Sequence, residues 1–115
     1  MFRGLRSLGT LPRASSMVDD TLKRFSSTDL TFGVIGLGYV GLPLAVEAAR
    51  SGVKVIGFDL KESATAGING GKSHIQDISD EDVAREVRAG RLVATTDLSR
   101  LSECDAISIC VPTPL

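Results

Sequence analysis

From Leu30 onward, short apolar runs alternate with stretches of helical period, and this alternation predicts strands and helices in turn. Thr31-Phe32-Gly33-Val34-Ile35-Gly36 is an apolar run ending in glycine, which predicts a buried strand. Over residues 42–50 the period changes. Leu44/Ala48 and Ala45/Ala49 stand four apart, and Gly52 stops the helix they define. Residues 53–59 predict a second strand, and residues 62–69 a short helix ended by Gly70-Gly71. The strongest helix signal covers residues 78–90. Ser79 caps it with Asp82 three residues on, Asp80 and Glu81 sit at the positive end of the dipole, Arg85 and Arg88 fall towards the negative end, and Gly90 follows as the terminator. Val83 and Val87 mark its buried stripe. Residues 92–96 form a weaker third strand, and residues 106–111 a fourth, closed by Pro112 and Pro114, which cannot donate to a ladder.

Strands linked through helices imply right-handed crossovers and a parallel sheet. The predicted class is therefore α/β: an incomplete Rossmann-type, doubly wound sheet of about four strands, one half plus the first strand of the other. This domain is expected over residues 30–115. Residues 1–29 stand apart. They begin with Arg3, Arg6 and Arg13 among serines, and no acidic residue precedes Asp19. That composition is shared by organelle transit peptides, but Gly4, Gly9 and Pro12 interrupt the apolar residues. A disordered leader, or an over-extended start with Met17 as the initiator, is the expectation, and with it a cytoplasmic location.

The balance of 13 Lys+Arg against 14 Asp+Glu in 115 residues gives a net charge of −1, which leaves no basic excess for neutralising a nucleic-acid backbone. No apolar run approaches the ~20 residues that cross a bilayer. Cys104, Cys110 and the single histidine, His74, make neither a disulfide framework nor a four-ligand zinc site. The composition implies a soluble, intracellular domain with reduced thiols and neither a nucleic-acid nor a membrane partner.

Candidate chemistry lies in Gly36-Leu37-Gly38-Tyr39-Val40-Gly41, between a predicted strand and a predicted helix. Such a loop alone is a weak signal. Here an acid, Asp59, ends the next strand 21 positions after Gly38, as a dinucleotide fingerprint requires. Gly36 permits the tight turn, Gly38 lets backbone approach a pyrophosphate, and Gly41 lets the helix pack on the strand. Pro43 requires the helix to start near Val40, since its missing N–H is harmless only in the first turn. No Lys-Ser/Thr pair follows, so the loop is not a Walker A. Dinucleotide binding outweighs a plain strand–helix turn. Asp59 is expected to accept from ribose hydroxyls and to reject a 2′-phosphate. Like charges about 4 Å apart cost ~4 kcal/mol at an effective dielectric of 20, so NAD is preferred over NADP roughly a thousandfold, softened by Lys61. The second segment is Val111-Pro112-Thr113-Pro114, at the switch point between the first and fourth strands, where Thr113 is placed to hydrogen-bond the cofactor. Cys110 reads as a small core residue in a buried strand, Cys104 as structural, and His74 as a surface loop residue.

With these residues in view, the stretch from Phe32 through Gly36-Leu37-Gly38-Tyr39-Val40-Gly41-Leu42-Pro43 resembles the start of the UDP-glucose/GDP-mannose (nucleotide-sugar) dehydrogenase family. Ile78-Ser79-Asp80-Glu81 and Val111-Pro112-Thr113-Pro114-Leu115 look most like its UDP-N-acetylhexosamine branch. The resemblance implies a two-step, four-electron oxidation. The sugar's 6-hydroxymethyl group becomes a carboxylate through a cysteine thioester, and two NAD are reduced. It also implies homo-oligomeric full-length proteins, and cofactor contacts at Tyr39, Val40, Asp59 and Thr113, with Leu37, Val111 and Pro112 in the same two loops. Many relatives carry arginine where this chain has Ala64. The family's nucleophilic cysteine matches neither Cys104 nor Cys110, so the segment is expected to lack the catalytic half and to bind a UDP-sugar only when the missing domains are present. The alternatives are a stand-alone NAD-binding or regulatory module, or the start of another NAD-linked dehydrogenase.

Overall fold

The structure is a computed structural model that describes residues 30–110. The expected leader at residues 1–29 and the turn at Val111, Pro112, Thr113 and Pro114 lie outside the described residues.

The elements follow in the order β1 (Thr31–Ile35), α1 (Gly41–Arg50), β2 (Lys54–Phe58), α2 (Glu62–Asn69), α3 (Asp80–Arg88), β3 (Leu92–Thr95), a 3-10 helix (Leu98–Glu103) and β4 (Ala106–Ile109). All strands are parallel and lie in the order β3-β2-β1-β4. The order runs one way from β1 to β3 and then reverses to β4. The reversal is the switch point at which an open α/β sheet receives its ligand.

Strand alternation gives each face its own set of side chains. Phe32, Val34, Val55, Leu92, Ala94 and Ala106 join Leu42, Ala45, Val46 and Ala49 of α1, Ile68 of α2 and Val83 of α3 in one apolar cluster. Both crossovers progress in the same direction, so these helices lie over one face, α1 and α2 each touching α3. On the other face Ile56 and Phe58 are buried, while Ile107 and Ile109 of β4 are exposed. β4 is therefore not the buried strand that its sequence suggests. It pairs only with β1 among the described residues, and Ile107 and Ile109 on its second face stay exposed. Cys110 correspondingly lies just past the strand's end, partly buried against the core edge, rather than inside a buried strand.

Local signals are obeyed closely. The Ser79 hydroxyl accepts the Asp82 N–H at 3.1 Å, and Gly90 takes φ +76° after the last turn of α3. Glu86, on the polar side of the sequence pattern, is only 1% exposed. Arg91 meets its carboxylate at 2.9 Å and donates from Nε to the Ala49 carbonyl at 2.9 Å. One residue thus ties the ends of α1 and α3 to the start of β3. At that edge strand, Asn69 closes part of the open ladder. Its amide donates to the Ala94 carbonyl at 2.8 Å and its oxygen accepts the Ala94 N–H at 2.9 Å.

Candidate cofactor site

The three glycines of the β1–α1 loop have different neighbours. Gly36 has φ +92°, and its N–H donates to the Phe58 carbonyl at 2.7 Å, which turns the chain sharply off β1. At Gly41 a Cβ would stand 1.5 Å from the Gly36 carbonyl oxygen, so the helix can start this close to the strand only without a side chain. Gly38 has no such constraint. A Cβ there meets nothing within 4 Å, and its φ lies outside the left-handed region. The fold therefore accounts for Gly36 and Gly41, whereas Gly38 keeps bare backbone turned to open space, as close approach by a ligand demands.

Around Gly38 the backbone donors are concentrated. α1 begins at Gly41 with Val40 as its N-cap, close to where Pro43 requires it. The Gly38 and Val40 carbonyls accept from Leu42 and Leu44. The amides of Gly38, Tyr39, Val40 and Gly41 donate to no acceptor among the described residues. Four such N–H groups at the positive end of a helix dipole favour an anion.

Asp59 follows β2 and points back at this loop. Its Oδ2 accepts the Leu37 N–H and its Oδ1 the Lys61 N–H, both at 2.9 Å. The sequence reading gave this carboxylate to ribose alone, whereas the structure also gives it the job of bracing the loop. Each oxygen keeps a further lone pair, so accepting hydroxyls remains compatible with both bonds. Lys61 begins the turn into α2, and Ala64 is buried on the cleft wall.

Loop, acid and strand ends together border a cleft of roughly 950 Å³ beyond the carboxyl ends of β1 and β2. Tyr39, Val40, Leu60, Leu98 and Ile109 line it, and these five are among the six large apolar residues exposed in the described chain, Tyr39 and Leu60 each at 82%. Apolar surface gathered at one polar-floored cleft is the pattern of a small-molecule site. Bare amides for a diphosphate, a carboxylate for sugar hydroxyls and apolar walls for flat rings together fit a dinucleotide.

His74 was missed by the sequence reading. It is exposed in a loop as expected, yet its Nε2 lies 2.6 Å from the Leu37 carbonyl oxygen and it borders the cleft. The available signal was the neighbouring Ile75, an apolar residue in a polar stretch, which buries itself and carries the histidine in with it. Cys104 sets its side chain against Gly33 of β1. A Cβ on Gly33 would come within 2.7 Å of its sulfur, and burial pushes its thiol up from the ordinary value. A partly buried thiol whose pKa is raised is a poor nucleophile.

Residues 30–115 match the UDP-glucose/GDP-mannose dehydrogenase family, NAD binding domain. The UDP-N-acetyl-D-mannosamine dehydrogenase of Campylobacter jejuni is 46% identical over 82 residues, covering 70% of this chain and 19% of that protein. The corresponding enzyme of Pyrococcus horikoshii is 37% identical over 87 residues, covering 75% and 21%. Among solved structures, a ternary complex of GDP-mannose dehydrogenase from Pseudomonas aeruginosa aligns with a TM-score of 0.69 at 35% identity, covering 72% of this chain and 20% of that one. The chain spans about one fifth of the length of the curated relatives it matches. From Leu30 to its last residue, the chain belongs to the UDP-glucose/GDP-mannose dehydrogenase family, through the NAD-binding domain.

Proposed function

We propose that this chain supplies the NAD-binding part of a cytoplasmic nucleotide-sugar dehydrogenase that oxidises the 6-hydroxymethyl group of a UDP-N-acetylhexosamine to a carboxylate. The observation that carries the NAD reading is Gly38, whose bareness serves no contact within the fold, set beside amides that lack acceptors. Relatives named for UDP-N-acetylmannosamine and UDP-N-acetylglucosamine support the choice of sugar.

A bound NAD supplies two-electron oxidation, so the full conversion uses two. The chain's own residues bind and orient it. The amides from Gly38 to Gly41 take the diphosphate, Asp59 takes the adenosine ribose hydroxyls, and Tyr39 and Val40 cover the loop. In the same proposal Val111, Pro112 and Thr113 contribute further contacts to the cofactor. The thioester chemistry falls to parts of the protein beyond this domain, as do the UDP-sugar site and the oligomer contacts.

Calorimetric titration of the chain with NAD and NADP tests the reading. Micromolar NAD binding is expected, with NADP weaker by roughly a thousandfold. Asp59→Ala weakens NAD and narrows that gap. No heat with NAD, or equal affinities for the two nucleotides, overturns it. NADH formation from NAD and UDP-N-acetylglucosamine by this chain alone would overturn the assignment of the chemistry elsewhere.

A further inference from the structure

We infer that His74 is a positioning residue for the cofactor loop: its Nε2–H holds the Leu37 carbonyl and so fixes the direction of the Gly38 amide. The inference rests on the NAD-binding reading above and adds to it a residue outside the glycine motif.

The contact is long in sequence and short in space. His74 reaches over 37 positions to place Nε2 2.6 Å from the Leu37 oxygen. A carbonyl only accepts, so the proton sits on Nε2 and the imidazole is the donor. Leu37 is held at its other end too, by the bond from its N–H to Asp59 Oδ2. No peptide bond is cis among the described residues, so the Leu37 carbonyl and the Gly38 N–H share one plane and point opposite ways. Fixing the carbonyl on one side therefore aims the amide on the other. That amide is the first of the four that lack an acceptor among the described residues.

The segment carrying His74 is built to hold it still. Ile75 is 6% exposed and packs into the main core. The Ser73 hydroxyl donates to the Ile75 carbonyl at 2.9 Å and accepts its N–H at 3.0 Å. The Ser73 N–H donates to Asp80 at the start of α3, at 2.7 Å. Each of these bonds steadies the strap, and the imidazole delivers that rigidity to the loop. The fold itself gains little from the contact. His74 is exposed at the mouth of the cleft, so removing its side chain lets water reach the Leu37 carbonyl, which is covered while the imidazole is in place, and the net contribution of the bond to stability is small. Pre-organising the loop before the ligand arrives is what the contact achieves.

The test compares wild type, His74→Ala and His74→Gln, whose carboxamide retains a donor, by NAD calorimetry, thermal unfolding without NAD, and amide hydrogen exchange at residues 37–41. His74→Ala is expected to weaken NAD roughly three- to tenfold. It should also speed exchange at the Leu37 amide, which Asp59 Oδ2 holds, without NAD, at an unchanged unfolding midpoint, and His74→Gln should recover both losses. Should the alanine variant fail to fold, His74→Leu against His74→Gln isolates the donor at similar bulk. Wild-type affinity in the variant without a donor, or equal loss in the glutamine variant, overturns the inference and leaves the NAD reading standing. A wild type that does not bind NAD overturns both.

Discussion

The two ends of the sheet treat their polar groups in opposite ways. At the amino ends of the strands, the Thr31 N–H donates to the Asp105 carboxylate and its carbonyl accepts the Asp105 N–H, each at 2.8 Å. Arg91 there joins the buried Glu86 carboxylate and the Ala49 carbonyl. Every partner belongs to the chain. At the carboxyl ends, four consecutive amides donate to nothing among the described residues, and bulky apolar side chains stand exposed around them. One end spends its hydrogen bonds on holding the fold together. The other uses Asp59 and His74 to hold a loop whose own donors are kept for a ligand. Substitutions that act on stability should therefore separate from those that act on binding.

Gly41→Ala gives the largest effect, because it acts where the two roles meet. Its Cβ would stand 1.5 Å from the Gly36 carbonyl oxygen and 2.7 Å from the Gly36 carbonyl carbon, both backbone atoms that cannot move aside cheaply. We expect a loss of more than about 5 kcal/mol and no cooperative urea transition. A folded alanine variant would show that α1 can leave the strand, and with it that the loop geometry is not fixed.

Arg91→Met comes next and acts at the closed end alone. It strands the Glu86 carboxylate, which is 1% exposed, and removes the donor to the Ala49 carbonyl. Breaking such a pair from one side costs about 3 kcal/mol, to be read from urea unfolding. NAD affinity measured on the folded fraction should stay at the wild-type value. A parallel loss of affinity would mean that the two ends are coupled.

Gly38→Ala should show the reverse. Its Cβ enters open space at an unstrained φ, so the fold is unchanged or gains about 0.4–1 kcal/mol from a less flexible unfolded chain. The same methyl stands where the diphosphate must approach, and NAD affinity should fall by roughly tenfold or more. A more stable protein that binds less is the sharpest form of the contrast. Equal affinities for the glycine and alanine proteins would remove the ground for placing the ligand here.

What the sequence made legible was local or periodic. The glycine spacing, Asp59 at a strand end, the Ser79 cap and the Gly90 terminator each depend on a few neighbouring residues, and each was readable without coordinates. The switch point between the first and fourth strands followed from reading the alternation as a doubly wound sheet. Three features were hidden because they depend on who meets whom across the chain. The reach of His74 to Leu37 requires knowing how Ile75 packs. The burial of Glu86 requires Arg91 and the end of α1, none of which is visible in the polar face of α3. The 3-10 helix at Leu98–Glu103 is too short for its Leu98/Leu101 spacing to announce it, although it carries Leu98 to the cleft and leads the chain back to β4.

Cys104 gives the smallest effect and tests how far the second face of the sheet shields its sulfur from water. Its sulfur sits against Gly33 of β1, and burial, reinforced by the Glu103 and Asp105 carboxylates and opposed by Arg100, holds its thiol above the ordinary 9.0. A group with its folded value raised contributes stability that is fully present below the unfolded value and is lost as pH rises through the folded one. At neutral pH the thiol is protonated in both states and contributes no slope. Above 9.0 the unfolded chain releases this proton before the folded chain does, so stability falls with pH. Urea unfolding of wild type and Cys104→Ser at about pH 7 and about pH 10 isolates this slope, because serine does not titrate there. The wild type should lose more stability than the serine variant over that interval. Parallel losses would mean that water reaches the sulfur in the folded protein and that the face beneath β1 is open.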